Sequence, residues 1–326
     1  MPLSASLTLL TAQKEVILSA GAINSPQILL QSGIGDETEL QNVAISPLHS
    51  LPSVGKNMTD QPYVSVVWTT NSAAPPLNTT AALEEWKQNH TGPFTMSSTA
   101  SNHIAFLRLP DDSPIFETFM DPAAGPNTPH MELTPLVSDL INGGLSLNVI
   151  TLQDNGGLGQ TSDGTFVSMG ITFLTPTSRG SVSITSSNPF EPPQIDPNLL
   201  ASDFDIFTYR ESVKASQRFF SAPAWKDYVV APFRPPANAT SDEDLDAYLR
   251  QNAISSSHAA GTCAMSAEDA QYGVVNPDLR VKGIKGLRVV DASIMPFIPA
   301  GHLQVPVYVI AEKAADMIKS DWCSET

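Results

Sequence analysis

The chain has 326 residues, 41% of them hydrophobic, enough for two domains and a large core. Charged residues make up only 15% and leave a net charge of −16, a balance that argues against a nucleic-acid partner, since phosphate binding needs clustered Lys and Arg. Cys263 and Cys323 are the two cysteines, too few for a disulfide framework or a CxxC metal or redox site.

The pattern opens with a βα unit. Residues 15–20 read as a short strand, Gly21-Ala22-Ile23-Asn24 as a turn, and Ser25 as the N-cap of a helix with Pro26 at its first position. Gly33 stops that helix. From about residue 61 the character changes, and residues 63–68, 145–152 and 166–173 read as strands. The last is expected to turn through residues 176–180 and pair antiparallel with 181–185. Residues 71–144, rich in Pro, Asn and Ser, read as a loop-dominated lobe; the 27 prolines of the chain point the same way.

Two capped helices follow, one from Ser202 with Asp205 in capping-box position and one from Ser241 with Asp244. Leu287-Arg288-Val289-Val290 reads as a buried strand ending in Asp291. A final helix is expected from Pro306, with Val307, Ile310, Ala311, Ala314, Ala315 and Ile318 as its apolar stripe. Small residues surround two histidines, in Ser257-His258-Ala259-Ala260-Gly261 and in Pro299-Ala300-Gly301-His302-Leu303. If the fold brings them together, they make a base and a hydrogen-bonding partner for an alcohol. His49, His90, His103 and His130 lie in loop-like or mixed contexts and read as structural.

The run from Gly21 through Ser25-Pro26-Gln27 to Gly33-Ile34-Gly35 resembles the second signature of the glucose–methanol–choline (GMC) oxidoreductases. The two histidine segments and Val289-Val290-Asp291-Ala292-Ser293 are similar to that family's C-terminal part, and the resemblance covers nearly the whole chain. Residues 102–110, 119–126 and 187–190, with 204–207, most resemble fungal aryl-alcohol oxidases. The resemblance implies an α/β plus α+β fold: an incomplete FAD-binding Rossmann-like domain with a substrate domain built on an antiparallel sheet. The implied divisions are residues 1–60 as a remnant of the FAD-binding domain, 61–254 as the substrate domain, and 255–322 as a return segment carrying both histidines. It also implies FAD as cofactor, a small primary alcohol as substrate, and oxygen or a quinone as electron acceptor. By position, His258 matches the base that takes the hydroxyl proton and His302 the second active-site residue. Gly21, Ser257, Asp291, Ala292, Gln304 and Val305 match positions near the cofactor.

The chain departs from the family at several points. The GxGxxG turn that presents backbone amides to a pyrophosphate is absent: Gly33-Ile34-Gly35 meets Thr38 where the third glycine falls, and Gly157-Leu158-Gly159 meets Ser162. The matching part of the family begins near mid-chain, so a rival expectation is a non-catalytic remnant that holds no cofactor. Ser257 stands where the aryl-alcohol subgroup has an aromatic residue, and Ala259 stands where proline is usual; both open the pocket. Ser255-Ser256-Ser257-His258 lacks the GxSxG elbow of a serine hydrolase. Sequons at Asn57, Asn78, Asn89 and Asn238 favour an extracellular protein, although residues 1–10 lack the basic head of a signal peptide. No apolar run approaches the length of about 18 residues that spans a bilayer.

Overall fold

The computed structural model describes residues 9–71, 78–95, 103–137 and 165–323. In chain order, β1 (Val16–Leu18), α1 (Gly21–Gln31), β2 (Ile34–Gly35), α2 (Glu37–Asn42) and β3 (His49–Ser50) precede the long strand β4 (Pro62–Thr70). Then come α3 (Thr79–Asn89), β5 (Ala105–Leu107), β6 (Met131–Val137), β7 (Thr165–Phe173), β8 (Ser181–Ser183) and β9 (Gln194–Asp196). Helix α4 (Asp203–Phe220), β10 (Val229–Arg234), α5 (Asp242–Asn252), β11 (Ile254–Ser255), β12 (Leu287–Val289) and α6 (Gln304–Cys323) complete the order.

The main sheet is antiparallel, in the order β10-β4-β7-β6-β5, with β11 paired to the start of β4. Its pleat sorts the side chains. Val64, Val66 and Trp68 pair with Ile171, Met169 and Val167, and Met131 and Leu133 pair with Phe173 and Ile171. These residues share one face and pack against Phe204, Tyr209, Val213 and Phe220 of α4 and Leu245 and Leu249 of α5. Alternation puts Tyr63, Glu132 and Thr172, which are also register partners, on the opposite face. The second core lies beneath β1 and β12, which pair in parallel, and gathers Leu29 and Leu30 of α1, Val289, and Ala314 of α6. Arg288, 1% exposed, binds Glu15 at 2.7 Å and also Asp321, tying α6 to this parallel pair.

Several local expectations change. Helix α1 begins at Gly21, so Pro26 lies inside it and Ser25 is not its cap. A proline at 26 cannot donate to the carbonyl of residue 22. The Thr262 hydroxyl supplies that bond instead, donating to Ala22 O at 2.6 Å. Strand β8 pairs with β9 and not with β7. The reason lies in α4, where Asp205 accepts from the amides of Thr177 and Ser178 at 2.8 and 2.9 Å and draws the connection away from β7. That use of Asp205 replaces the expected capping box, although Ser202 still caps the helix; the Ser241–Asp244 box at α5 forms. The region 71–144 is not simply loops, since α3, β5 and β6 fall within it. The proposed strand 145–152 and the Gly157–Gly159 run lie outside the described residues.

Helix α6 starts at Gln304, two residues ahead of expectation. Its inner stripe holds for Val307, Ile310, Ala314, Ala315 and Ile318, whereas Ala311 is exposed. Val305, Tyr308 and Val309 lie on the open side at 70%, 65% and 62% exposure. No helix among the described residues is long and apolar enough to cross a membrane.

Candidate active site

His258 lies in a segment that runs beside residues 59–61. Thr59 and Ala260 exchange backbone hydrogen bonds at 3.0 and 2.9 Å, and the Ser256 amide donates to Gln61 O. Ser257, exposed, takes a left-handed φ of 63°, which costs a non-glycine residue about 1 kcal/mol or more. The strain is held by a chain of hydrogen bonds. The Ser257 amide donates to Ser255 Oγ at 2.8 Å, the Ser255 hydroxyl donates to Asp60, and Asp60 Oδ1 accepts from the His258 amide at 3.2 Å. Burial raises the Asp60 carboxyl above its ordinary range, and these hydrogen bonds act against that rise.

His302 arrives from the other side, on the loop ahead of α6. The two rings meet edge to face, their centroids 4.9 Å apart at 76°. Each ring has its own acceptor. His258 Nδ1 lies 2.7 Å from Gln61 Oε1, and His302 Nε2 lies 3.2 Å from Glu132 Oε1. The consequences diverge. Burial, helped by the neighbouring His302, pushes His258 below the ordinary imidazole range. The hydrogen bond to Glu132 pushes His302 above it, with burial opposing. Glu132 is buried, and its Oε2 has no hydrogen-bond partner among the described residues. A carboxylate so placed is costly unless a cation answers it, and His302 is the group positioned to do so. Opposite leanings of this kind favour the neutral form of His258 and the charged form of His302.

The remaining sequence-selected residues spread away from this pair. Asp291 is buried and committed: Oδ2 accepts from the Gly21 amide at 3.0 Å and the Ser25 hydroxyl at 2.5 Å, and Oδ1 accepts from the Ser293 amide at 2.8 Å. Ala292 follows in a short 3-10 turn, half-buried, with its carbonyl accepting from the Gly261 amide. Gly21 has a φ of 82°, and a Cβ there would meet nothing within 4 Å, so open space adjoins the end of β1. Gln304 and Val305 are exposed at the start of α6, where helix amides lack intrahelical acceptors. Cys263 beside the histidine loop is fully buried, and burial pushes its thiol well up, which removes it as a nucleophile.

Among the described residues, the site suits the ring end of FAD. Open space at Gly301, the exposed first turn of α6 and the histidine pair form a site that a flat redox ring could face, while the open space at Gly21 adjoins the end of β1. The Gly33–Gly35 turn offers nothing to a pyrophosphate. It leads into α2, whose first amides are taken by Asp36 and whose first turn carries Glu37 and Glu39. Glu39 is paired with Lys56 at 2.5 Å, and Asp36 already fills the amides a phosphate would need. Glu132, Gln61 and Asp60 are the site residues that sequence reasoning passed over. A charged residue between Met131 and Leu133 in an apolar run was the available signal for Glu132; Gln61 carried none.

Models of the GMC oxidoreductase family match residues 4–63 and 176–311. Pyranose dehydrogenase 3 of Leucoagaricus meleagris is 43% identical over 314 residues, covering 96% of this chain and 51% of its own length. The chain thus spans about half the length of the curated relatives it matches. Among solved structures, formate oxidase of Aspergillus oryzae, studied for modification of its FAD, superposes with a TM-score of 0.80 at 27% identity, over 96% of this chain and 55% of that one. A fungal aryl-alcohol oxidase superposes with a TM-score of 0.73 at 28% identity, over 95% and 55%. With two family models together spanning most of its length, the chain belongs to the GMC oxidoreductases.

Proposed function

We propose that this chain carries the proton-handling residues of an FAD-dependent site that oxidises small primary alcohols. The observation that carries the reading is the His258–His302 pair, two rings 4.9 Å apart with opposite leanings in charge. His258, neutral near physiological pH, takes the hydroxyl proton of the alcohol. His302, kept cationic by Glu132, donates a hydrogen bond to the same oxygen as negative charge grows on it. Bound FAD supplies the hydride acceptor, and oxygen or a quinone would reoxidise it. Gly21, Ala292, Gln304 and Val305 would border the cofactor, Ser257 would border the base, and Asp291 would act mainly by holding Gly21 and Ser25 in place.

Aryl alcohols and sugars are both candidate substrates. The aryl-alcohol oxidase likeness favours the first, and the pyranose dehydrogenase relative, with the small Ser257 beside the base, favours the second. The sequons and the fungal relatives support an extracellular location for the whole protein.

One observation favours a second reading, a non-catalytic chain without cofactor: the acidic, self-capped start of α2 offers no pyrophosphate cradle. The near-ultraviolet and visible absorbance of the purified chain, incubated with FAD and desalted, separates the two. Retained flavin bands that bleach anaerobically with a benzylic alcohol or a pyranose support the enzyme. A colourless protein at saturating FAD supports the remnant.

A further inference from the structure

We propose that Gln61 is a positioning residue that fixes the tautomer of His258, placing the ring proton on Nδ1 and leaving Nε2 as the basic nitrogen. This rests on the reading of His258 as the base and adds which atom acts and what selects it.

Gln61 is 0% exposed and sits where β4 begins. Its Nε2 lies 3.3 Å from Leu174 O, 3.0 Å from Pro299 O and 3.2 Å from Gly301 O. Carbonyl oxygens only accept, so three of them around one terminal atom identify that atom as the amide nitrogen. A flipped amide would set its oxygen against all three. The atom facing His258 is therefore Oε1, at 2.7 Å from Nδ1. An amide oxygen cannot donate, so the contact requires a proton on Nδ1. Neutral imidazole has one N–H, and the lone pair falls to Nε2.

The other charged and titratable groups near the ring do not compete for Nδ1. Asp60 accepts from the His258 backbone amide, Glu132 is engaged with His302, and the His302 ring meets His258 edge to face. The same amide also spans both halves of the site. Pro299 and Gly301 belong to the loop that delivers His302, so one buried side chain sets the tautomer of one histidine and anchors the segment of the other.

The test is a two-bond proton–nitrogen correlation spectrum of the full chain with 15N-labelled histidine, at a pH of about 8 where the base is neutral. His258→Asn identifies the His258 signals. The wild-type chain is expected to show the Nδ1–H pattern for His258. Gln61→Met is expected to convert it to the Nε2–H form or a mixture. His130 controls for folding in the same spectra: its Nδ1 accepts from the buried Leu109 amide at 3.0 Å, so its proton belongs on Nε2. In FAD-loaded protein, Gln61→Met should slow reduction by alcohol about 100-fold.

A wild-type His258 protonated on Nε2 overturns the proposal, as does a Gln61→Met spectrum that keeps Nδ1–H while His130 is intact. If Gln61→Met loses the His130 pattern, the wild-type tautomer decides. A correct tautomer in a chain whose flavin ignores every alcohol would sink the catalytic reading and leave the Gln61 assignment standing.

Discussion

The Ser25 hydroxyl donates to Asp291 Oδ2 at 2.5 Å across 266 positions of sequence, and the Gly21 amide donates to the same oxygen at 3.0 Å. One carboxylate thus joins the start of α1 to the end of β12 and fixes the rim of the site. Replacing it with alanine strands a buried hydroxyl and two amides. Asp291→Ala should lower stability by about 3 kcal/mol, seen as an earlier midpoint in urea unfolding. Unchanged unfolding would remove Asp291 as a tether.

The two histidines predict a bell-shaped pH profile for flavin reduction by an alcohol. His258 must be neutral, so the rate rises as pH climbs through its pKa, which burial holds below the ordinary value of about 6.5. His302 must be charged, so the rate falls as pH climbs through its pKa, which Glu132 holds above that value. Glu132→Gln removes the cause of the upward shift and should move the falling limb to lower pH. Stopped-flow reduction across pH reads both limbs; a falling limb indifferent to Glu132→Gln would contradict a cationic His302.

Glycosylation should avoid the first sequon. The Asn57 carboxamide is occupied, with Nδ2 donating to Pro296 O at 3.3 Å and Oδ1 accepting from Arg179 Nε at 3.2 Å. Asn89 and Asn238 are exposed. Mass spectrometry of chain secreted from a eukaryotic host should find glycan at one or both of these and none at Asn57.

What was legible in the sequence was what is local. The Ser241–Asp244 capping box and the apolar strands β4 and β7 depend on near neighbours and were readable. The start of α1 depends on the Thr262 hydroxyl reaching Ala22 O, and the partner of β8 depends on Asp205 bending the connection; neither leaves a local trace. His258 and His302 stood out through family resemblance. Gln61 and Glu132 act on them across 197 and 170 positions, so their roles appear only once the chain is folded.

The most direct test of the account is the anaerobic reduction rate of FAD bound to the wild-type chain and to His258→Asn, with the same alcohol at saturation. The account predicts bound flavin in both and a loss of about 1000-fold in the variant, the contribution of a general base. Equal rates in the two proteins would contradict it.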